Sequence, residues 1–286
     1  MISRSSHAAE EDGAARRVGI DRGRSAPRGE HLDQPPGAAT LETGSVLHVV
    51  HLGVVPYREA CALQQRLREE RLAGRAPDTL LLLEHPPVIT LGRSFRREHL
   101  LAEEATIARR GIELVTTDRG GSATYHGPGQ FVAYGIIDLQ ARSLDLHSYL
   151  RLLEEAMLRT LTDYGITAER DARNAGVWVA GSKIGFVGVH VRRWTTMHGC
   201  ALNVDLDLDP FALMLPCGLQ GVAVTSMSHV LASAAKVEQV TPLFAAHFAT
   251  LLGAPVESAE AAVFRSHPGG SRVGSGAVRA PEVHAD

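Results

Sequence analysis

Apolar residues are spread unevenly along this chain. Between residues 46 and about 265 they recur in runs with strand or helix periodicity, and outside that stretch large apolar side chains are scarce. VLHVVHL at 46–52 has strand length and character. So do TLLLLEH at 79–85 and VITLG at 88–92, which Pro86 and Pro87 divide. IELVTT at 112–117 predicts another strand. Residues 56–73 place Tyr57, Ala60, Cys61, Leu63 and Leu67 on one helical face, with Gly74 as the stop. The clearest helix is 145–164. Asp145 is placed to cap it, Leu146, Tyr149, Leu150, Leu153, Met157, Leu161 and Tyr164 form its apolar stripe, and Gly165 ends it. Three β-like runs follow, GVWVAG (176–181), KIGFVGVHV (183–191) and CALNV (200–204). A last helix is expected from Thr241 as cap and Pro242 in the first turn to Gly253. Strands in succession, with helices between groups of them and no regular βαβ alternation, predict an α+β domain with a mixed or antiparallel sheet and flanking helices.

The pattern sets the domain limits. Residues 1–45 and 266–286 are dominated by small, polar and charged residues. Such segments bury too little apolar surface to offset ordering, so both are expected to be disordered extensions of a folded unit at 46–265. The chain has 286 residues, 44% hydrophobic and 21% charged, ordinary globular values. A net charge of -3 gives no argument for a nucleic-acid or membrane-surface partner. No apolar run approaches the ~20 residues of a membrane-spanning helix. No signal-peptide pattern opens the chain, and Glu10, Glu11 and Asp12 oppose a mitochondrial transit peptide. A cytoplasmic location is expected. The three cysteines, Cys61, Cys200 and Cys217, are odd in number and show no CxxC spacing, which argues against a disulfide framework or a zinc site.

Three stretches carry candidate chemistry. RGGSATYHGPGQ at 119–130 holds four glycines and a proline in twelve residues, beside Arg119, Tyr125, His126 and Gln130. It reads as a tightly bent loop that a ligand can approach closely. Neither GxxxxGK[ST] nor a spaced GxGxxG is present, so ATP chemistry lacks its usual support. In GSKIGFVG at 181–188, Lys183 opens a strand whose alternation groups it with Gly185, Val187 and Val189, and Gly185 and Gly188 leave room for something slender and apolar. In PCG at 216–218 the thiol of Cys217 sits on a tight turn, with Lys183, His126, His190 and His198 as possible partners from elsewhere in the fold. His198-Gly199-Cys200 invites a metal reading, but no third ligand is suitably spaced, and no metal or cofactor is expected.

Taken in order, RGGSATYHGPGQ, KIGFVGVHV…HGCALNVDLDLDPF and LPCGLQGVAVTSM closely resemble the lipoyl(octanoyl) transferases over about 80–230. The resemblance implies the catalytic-domain fold of lipoate and biotin protein ligases. It implies transfer of an octanoyl group from acyl carrier protein to a lysine of lipoyl domains, or of the glycine-cleavage H protein. Cys217 would be the acyl-thioester nucleophile and Lys183 the residue that activates it. Arg119, Gly120, Gly121, Ser122, Ala123, Thr124, Tyr125, His126, Phe186, Val187, Gly188, Gly199, Cys200 and Ala201 would line the acyl site. Two positions depart from the family pattern. Trp194 stands where glycine is frequent, and Cys200 where Phe or Leu is, so Cys200 is expected to alter the width of the acyl pocket. Arg192 and Arg193 are expected on a basic surface that receives the carrier. The alternatives are an ATP-dependent lipoate–protein ligase on the same fold, which needs no cysteine, and an inactive carrier-binding module.

Overall fold

The 46–52 run forms strand β1 (Leu47–Val54) of a computed structural model that describes residues 46–172, 174–218, 220–259 and 261, with Cys217 by its backbone alone. The extensions expected at 1–45 and 266–286 lie outside the described residues. After β1 come α1 (Tyr57–Leu72), β2 (Asp78–Glu84), β3 (Val88–Leu91), α2 (Glu104–Arg109), β4 (Glu113–Thr116), β5 (Ala123–His126), β6 (Gln130–Ile136) and α3 (Leu146–Asp163). The chain continues through β7 (Glu169–Asp171), β8 (Asn174–Val179), β9 (Ser182–Arg192), β10 (Thr195–Asn203), α4 (Met227–Leu231), α5 (Val237–Leu252) and β11 (Val256–Ser258).

Eight strands form one mixed sheet in the order β11-β1-β2-β6-β10-β9-β8-β7. In it β1 runs parallel to β2 and β11, and the other pairs are antiparallel. A second, three-stranded sheet has the order β4-β3-β5. The α+β expectation of a mixed sheet with flanking helices is met. Alternation along β2 shows how the large sheet is covered. Leu80 and Leu82 join Met157, Leu161, Phe244 and Phe248 of α3 and α5 in one core. Leu81 and Leu83 meet Tyr57, Ala60, Leu63 and Leu67 of α1 in another. A third cluster joins Ile89, Tyr125, Phe186, Phe211 and Met214 between the small sheet and the chain ahead of Cys217.

Local signals explain most boundaries. Asp145 accepts a hydrogen bond from the Ser148 N–H at 2.6 Å, as an N-cap does. Gly253 closes α5 with φ 66°. The start of α5 differs from expectation, because the helix begins at Val237 and Pro242 lies inside it. The apolar spacing of Val237, Val240, Phe244 and Phe248 outweighs the one main-chain bond that Pro242 cannot donate. The expected loop at 119–130 is also only partly loop, since Ala123–His126 forms β5 and pairs with β3.

Candidate active site

Arg119 organises the glycine-rich segment from within. Its guanidinium donates to the carbonyls of Gly120, Ser122 and Thr90 and to the Thr90 hydroxyl, at 2.6–3.3 Å. Gly120 N–H donates to the Val189 carbonyl at 3.0 Å and stitches the segment to β9. The crossing is tight at Gly188. A β-carbon there would stand 2.9 Å from the Gly120 oxygen and 3.0 Å from the Arg119 stem.

Beside this crossing lies a narrow slot of about 370 Å³ including its mouth. It is lined by Arg119, Thr124, His126, Tyr134, Phe186, Val187, Gly188, Gly199, Cys200 and Ala201. Nine of these ten are residues that the sequence singled out; Tyr134 is the addition. Gly120, Gly121, Ser122, Ala123 and Tyr125 are not among the lining residues. They shape the segment that closes the slot, and Tyr125 packs on Phe211. Strand register separates side chains that line the slot from those that touch it by backbone alone. Gly188 pairs with Gly199 and Phe186 with Ala201, whereas Val187 pairs with Cys200. Cys200 belongs to the α3–α5 core with Val187 packed against that cluster, so their side chains turn away from the slot. Cys200 thus lines the slot, as expected, but at a position where strand register turns its side chain toward the helices. Gly185 also faces the helix side, where a β-carbon would meet Met157 Sδ at 2.9 Å; its absence makes room for α3, not for a ligand.

Lys183 is fully buried. Its ammonium donates to Asn174 Oδ1 and to the Ala175 carbonyl at 2.7 Å, and lies 5.0 and 5.2 Å from the ring centroids of Trp178 and Phe186. The alternation expected to group it with Gly185 fails because the register slips between Val177 and Trp178. The main chain of Lys183 holds the segment after the thiol turn: Lys183 N–H donates to the Ala223 carbonyl at 2.8 Å and Thr225 N–H to the Lys183 carbonyl at 2.9 Å. Before the turn, Leu215 N–H donates to the His99 carbonyl at 2.8 Å. Pro216–Gly218, a turn of 3₁₀ helix, hangs between these anchors.

Histidines surround the slot. His126 donates from Nδ1 to Gln130 Oε1, which leaves Nε2 without a protein partner, like Thr124 Oγ1. Burial holds His126 well below the ordinary histidine range, and His85, bonded to the Val55 carbonyl and to Tyr134, is pushed down to about 4 by burial. His198 turns from the HGC motif to Asp118 at 2.8 Å, while Cys200 points to the opposite face, so the two do not converge as metal ligands would. The hydrogen bond from His198 holds the Asp118 carboxyl below its usual range. Arg192 and Arg193 sit at the far end of β9. That is nine residues from Lys183, about 30 Å of strand, and Arg192 pairs there with Glu69. Arg93, Arg96 and Arg97 lie on the segment that leads into His99, whose carbonyl anchors the turn of Cys217. Asn174, Trp178, Tyr134 and His99 were not legible as site residues, because only tertiary pairing brings them in.

Sequence comparison puts this fold, with its buried lysine, anchored Cys217 turn and slender slot, in the class of lipoyl protein ligase catalytic domains. The profile described as "Lipoyl protein ligase A/B catalytic domain" matches residues 56–249. The octanoyltransferase of Gloeobacter violaceus is 47% identical over 210 residues, 73% of this chain and 91% of that protein. That of Solibacter usitatus is 48% identical over 200 residues, 70% and 90% of the two chains. Among solved structures, lipoate-protein ligase A bound with ATP superposes with TM-score 0.59 at 18% identity, covering 75% of this chain and 89% of the other. The bi-partite lipoate protein ligase of Thermoplasma acidophilum gives 0.60 at 18% identity, covering 75% and 87%. The chain belongs to the lipoyl(octanoyl) transferase family and is an acyltransferase. Among the described residues, no helix is long and apolar enough to cross a membrane.

Proposed function

We propose that this protein moves an octanoyl group from the thioester of an acyl carrier protein to a lysine of a lipoyl domain or H protein, by way of a thioester on Cys217. The observation that carries the reading is the double anchoring of the Pro216–Gly218 turn, by His99 before it and by the main chain of buried Lys183 after it. A cation near a thiol favours the thiolate, the nucleophilic form. The other two thiols are poor competitors, since burial pushes Cys61 up to about 11 and raises Cys200 further.

Cys217 thiolate attacks the donor carbonyl and expels the carrier's thiolate. As it leaves, the carrier's thiolate takes a proton from the Lys183 ammonium; the target amine then attacks the enzyme thioester, loses a proton to the Lys183 amine so formed, and releases the Cys217 thiolate. The acyl chain would lie along β9 past Phe186, Ala201 and Gly199 to the Arg119–Gly120 crossing. Lys183 to Gly188 is about 16 Å of strand, and an extended octanoyl chain is on the order of 9 Å. Its burial is worth roughly 5 kcal/mol at about 0.8 kcal/mol per methylene. The Thermoplasma structure is of a ligase and its E2 lipoyl domain, a partner of the kind proposed here. The donor distinguishes transferase from ligase. Octanoyl-carrier and apo lipoyl domain are expected to yield octanoyl-lysine without ATP, and free octanoate with ATP is expected to yield none. The opposite pattern would make the protein a ligase.

A further inference from the structure

Both steps of this chemistry pass through a tetrahedral oxyanion, and such an anion needs fixed donors. In many nucleophile turns the main-chain N–H after the nucleophile serves. Here that group is engaged, because Gly218 N–H donates to the Leu215 carbonyl at 2.9 Å. The side chain set against the turn is His99. A β-carbon on Gly218 would stand 3.0 Å from His99 Cε1 and 3.3 Å from Nε2. Gly218 also has φ 73°, so a residue without a side chain is required there twice over.

The tautomer of His99 follows from its partners. Arg96 N–H donates to Nδ1 at 3.2 Å, so Nδ1 is an acceptor and the Ser122 hydroxyl at 2.6 Å donates to it as well. The proton of the neutral ring therefore sits on Nε2, on a ring whose Cε1, Nε2 and Nδ1 would lie 3.0, 3.3 and 3.4 Å from a β-carbon on Gly218. Two hydrogen bonds fix the ring from behind, one from the glycine-rich segment and one from the His99 segment itself, and Phe95 packs edge-on against it.

We propose that His99 Nε2–H is an oxyanion donor for the intermediates formed on Cys217, a proposal that rests on Cys217 being the nucleophile. When the Cys217 sulfur bonds to the thioester carbon, the carbonyl π pair moves onto oxygen and accepts the Nε2 proton in a hydrogen bond. Collapse re-forms the carbonyl and expels the carrier's sulfur with its electron pair. The same contact serves when the target amine attacks and Cys217 leaves.

The main-chain bond from Leu215 to His99 survives any substitution at 99, so variants can separate the donor from the scaffold. Single-turnover acylation by octanoyl-carrier would be measured for wild type, His99→Leu, His99→Gln and His99→Ala. Thermal midpoint and the pH profile of Cys217 alkylation by iodoacetamide would be followed alongside. Loss of one such donor costs on the order of 100-fold in rate. His99→Leu and His99→Ala are expected to acylate about 100-fold more slowly, with the Cys217 alkylation profile in place. His99→Gln, whose amide offers an N–H of similar reach, is expected to recover at least tenfold over His99→Leu. Acylation of His99→Leu within threefold of wild type, or His99→Gln no faster than His99→Leu, overturns the proposal. A wild type that acylates at another residue overturns the nucleophile assignment and this proposal together.

Discussion

Cys200 and Cys217 separate by where the main chain places them, one within strand β10 and the other on the Pro216–Gly218 turn. Cys200 is 3% exposed within the α3–α5 core, and burial raises its thiol. Cys200→Ala removes one buried atom beside Ala133 and Val187. It is expected to cost roughly 1–2 kcal/mol in stability and to leave chain-length preference unchanged. Urea titration and a comparison of hexanoyl, octanoyl and decanoyl donors check both. A shift in preference would return the sulfur to the slot wall. Cys217 stands out in the sequence because a thiol between proline and glycine has few structural uses. The orientation of Cys200 is not legible there. Strand alternation fixes that residues 199 and 201 oppose 200, but not which face meets the slot; the pairing with β6 and β9 decides that.

The β9–β10 hairpin shows the same limit at the level of an element. Its turn residues Arg193 and Trp194 both have positive φ, 50° and 63°, the conformation of a type I′ turn. A glycine at position 194 would avoid the strain that tryptophan carries there. Trp194 is 52% exposed, and its carbonyl accepts from Leu139 N–H, a bond that glycine retains. Trp194→Gly is therefore expected to raise stability by about 1 kcal/mol and to leave transfer unaltered, because the turn lies at the far end of the strand from Lys183. A lower thermal midpoint would show that the indole packs usefully. The periodic stripes of α1 and α3 were readable in advance, as were β1 to β4. The start of α5 and the strand within the glycine-rich segment were not, since proline and glycine punctuate only where tertiary packing does not outweigh them.

Across the whole molecule, the buried histidines tie stability to pH. His85 titrates at about 4 in the folded protein and near 6.5 in an unfolded chain. Between those values the unfolded state binds the proton and the folded state does not, so stability falls as pH falls through about 6.5 to 4, at up to roughly 1.4 kcal/mol per pH unit for this group. Above that window His85 contributes no slope. His126 is shifted the same way and adds to the effect. Urea midpoints at pH 7, 5.5 and 4.5 should decline less steeply in His85→Gln than in wild type, and equal slopes would contradict the assignment. The proposed route through Cys217 has a more direct test: locating the acyl group during turnover. Mix the protein with octanoyl-carrier in the absence of acceptor, quench in acid, digest and map the octanoyl mass. The account predicts octanoyl on the peptide containing Cys217, released by neutral hydroxylamine, absent in Cys217→Ala and retained in Cys200→Ala and Cys61→Ala. Octanoyl on a different residue, or transfer to a lipoyl domain at the wild-type rate by Cys217→Ala, would contradict it.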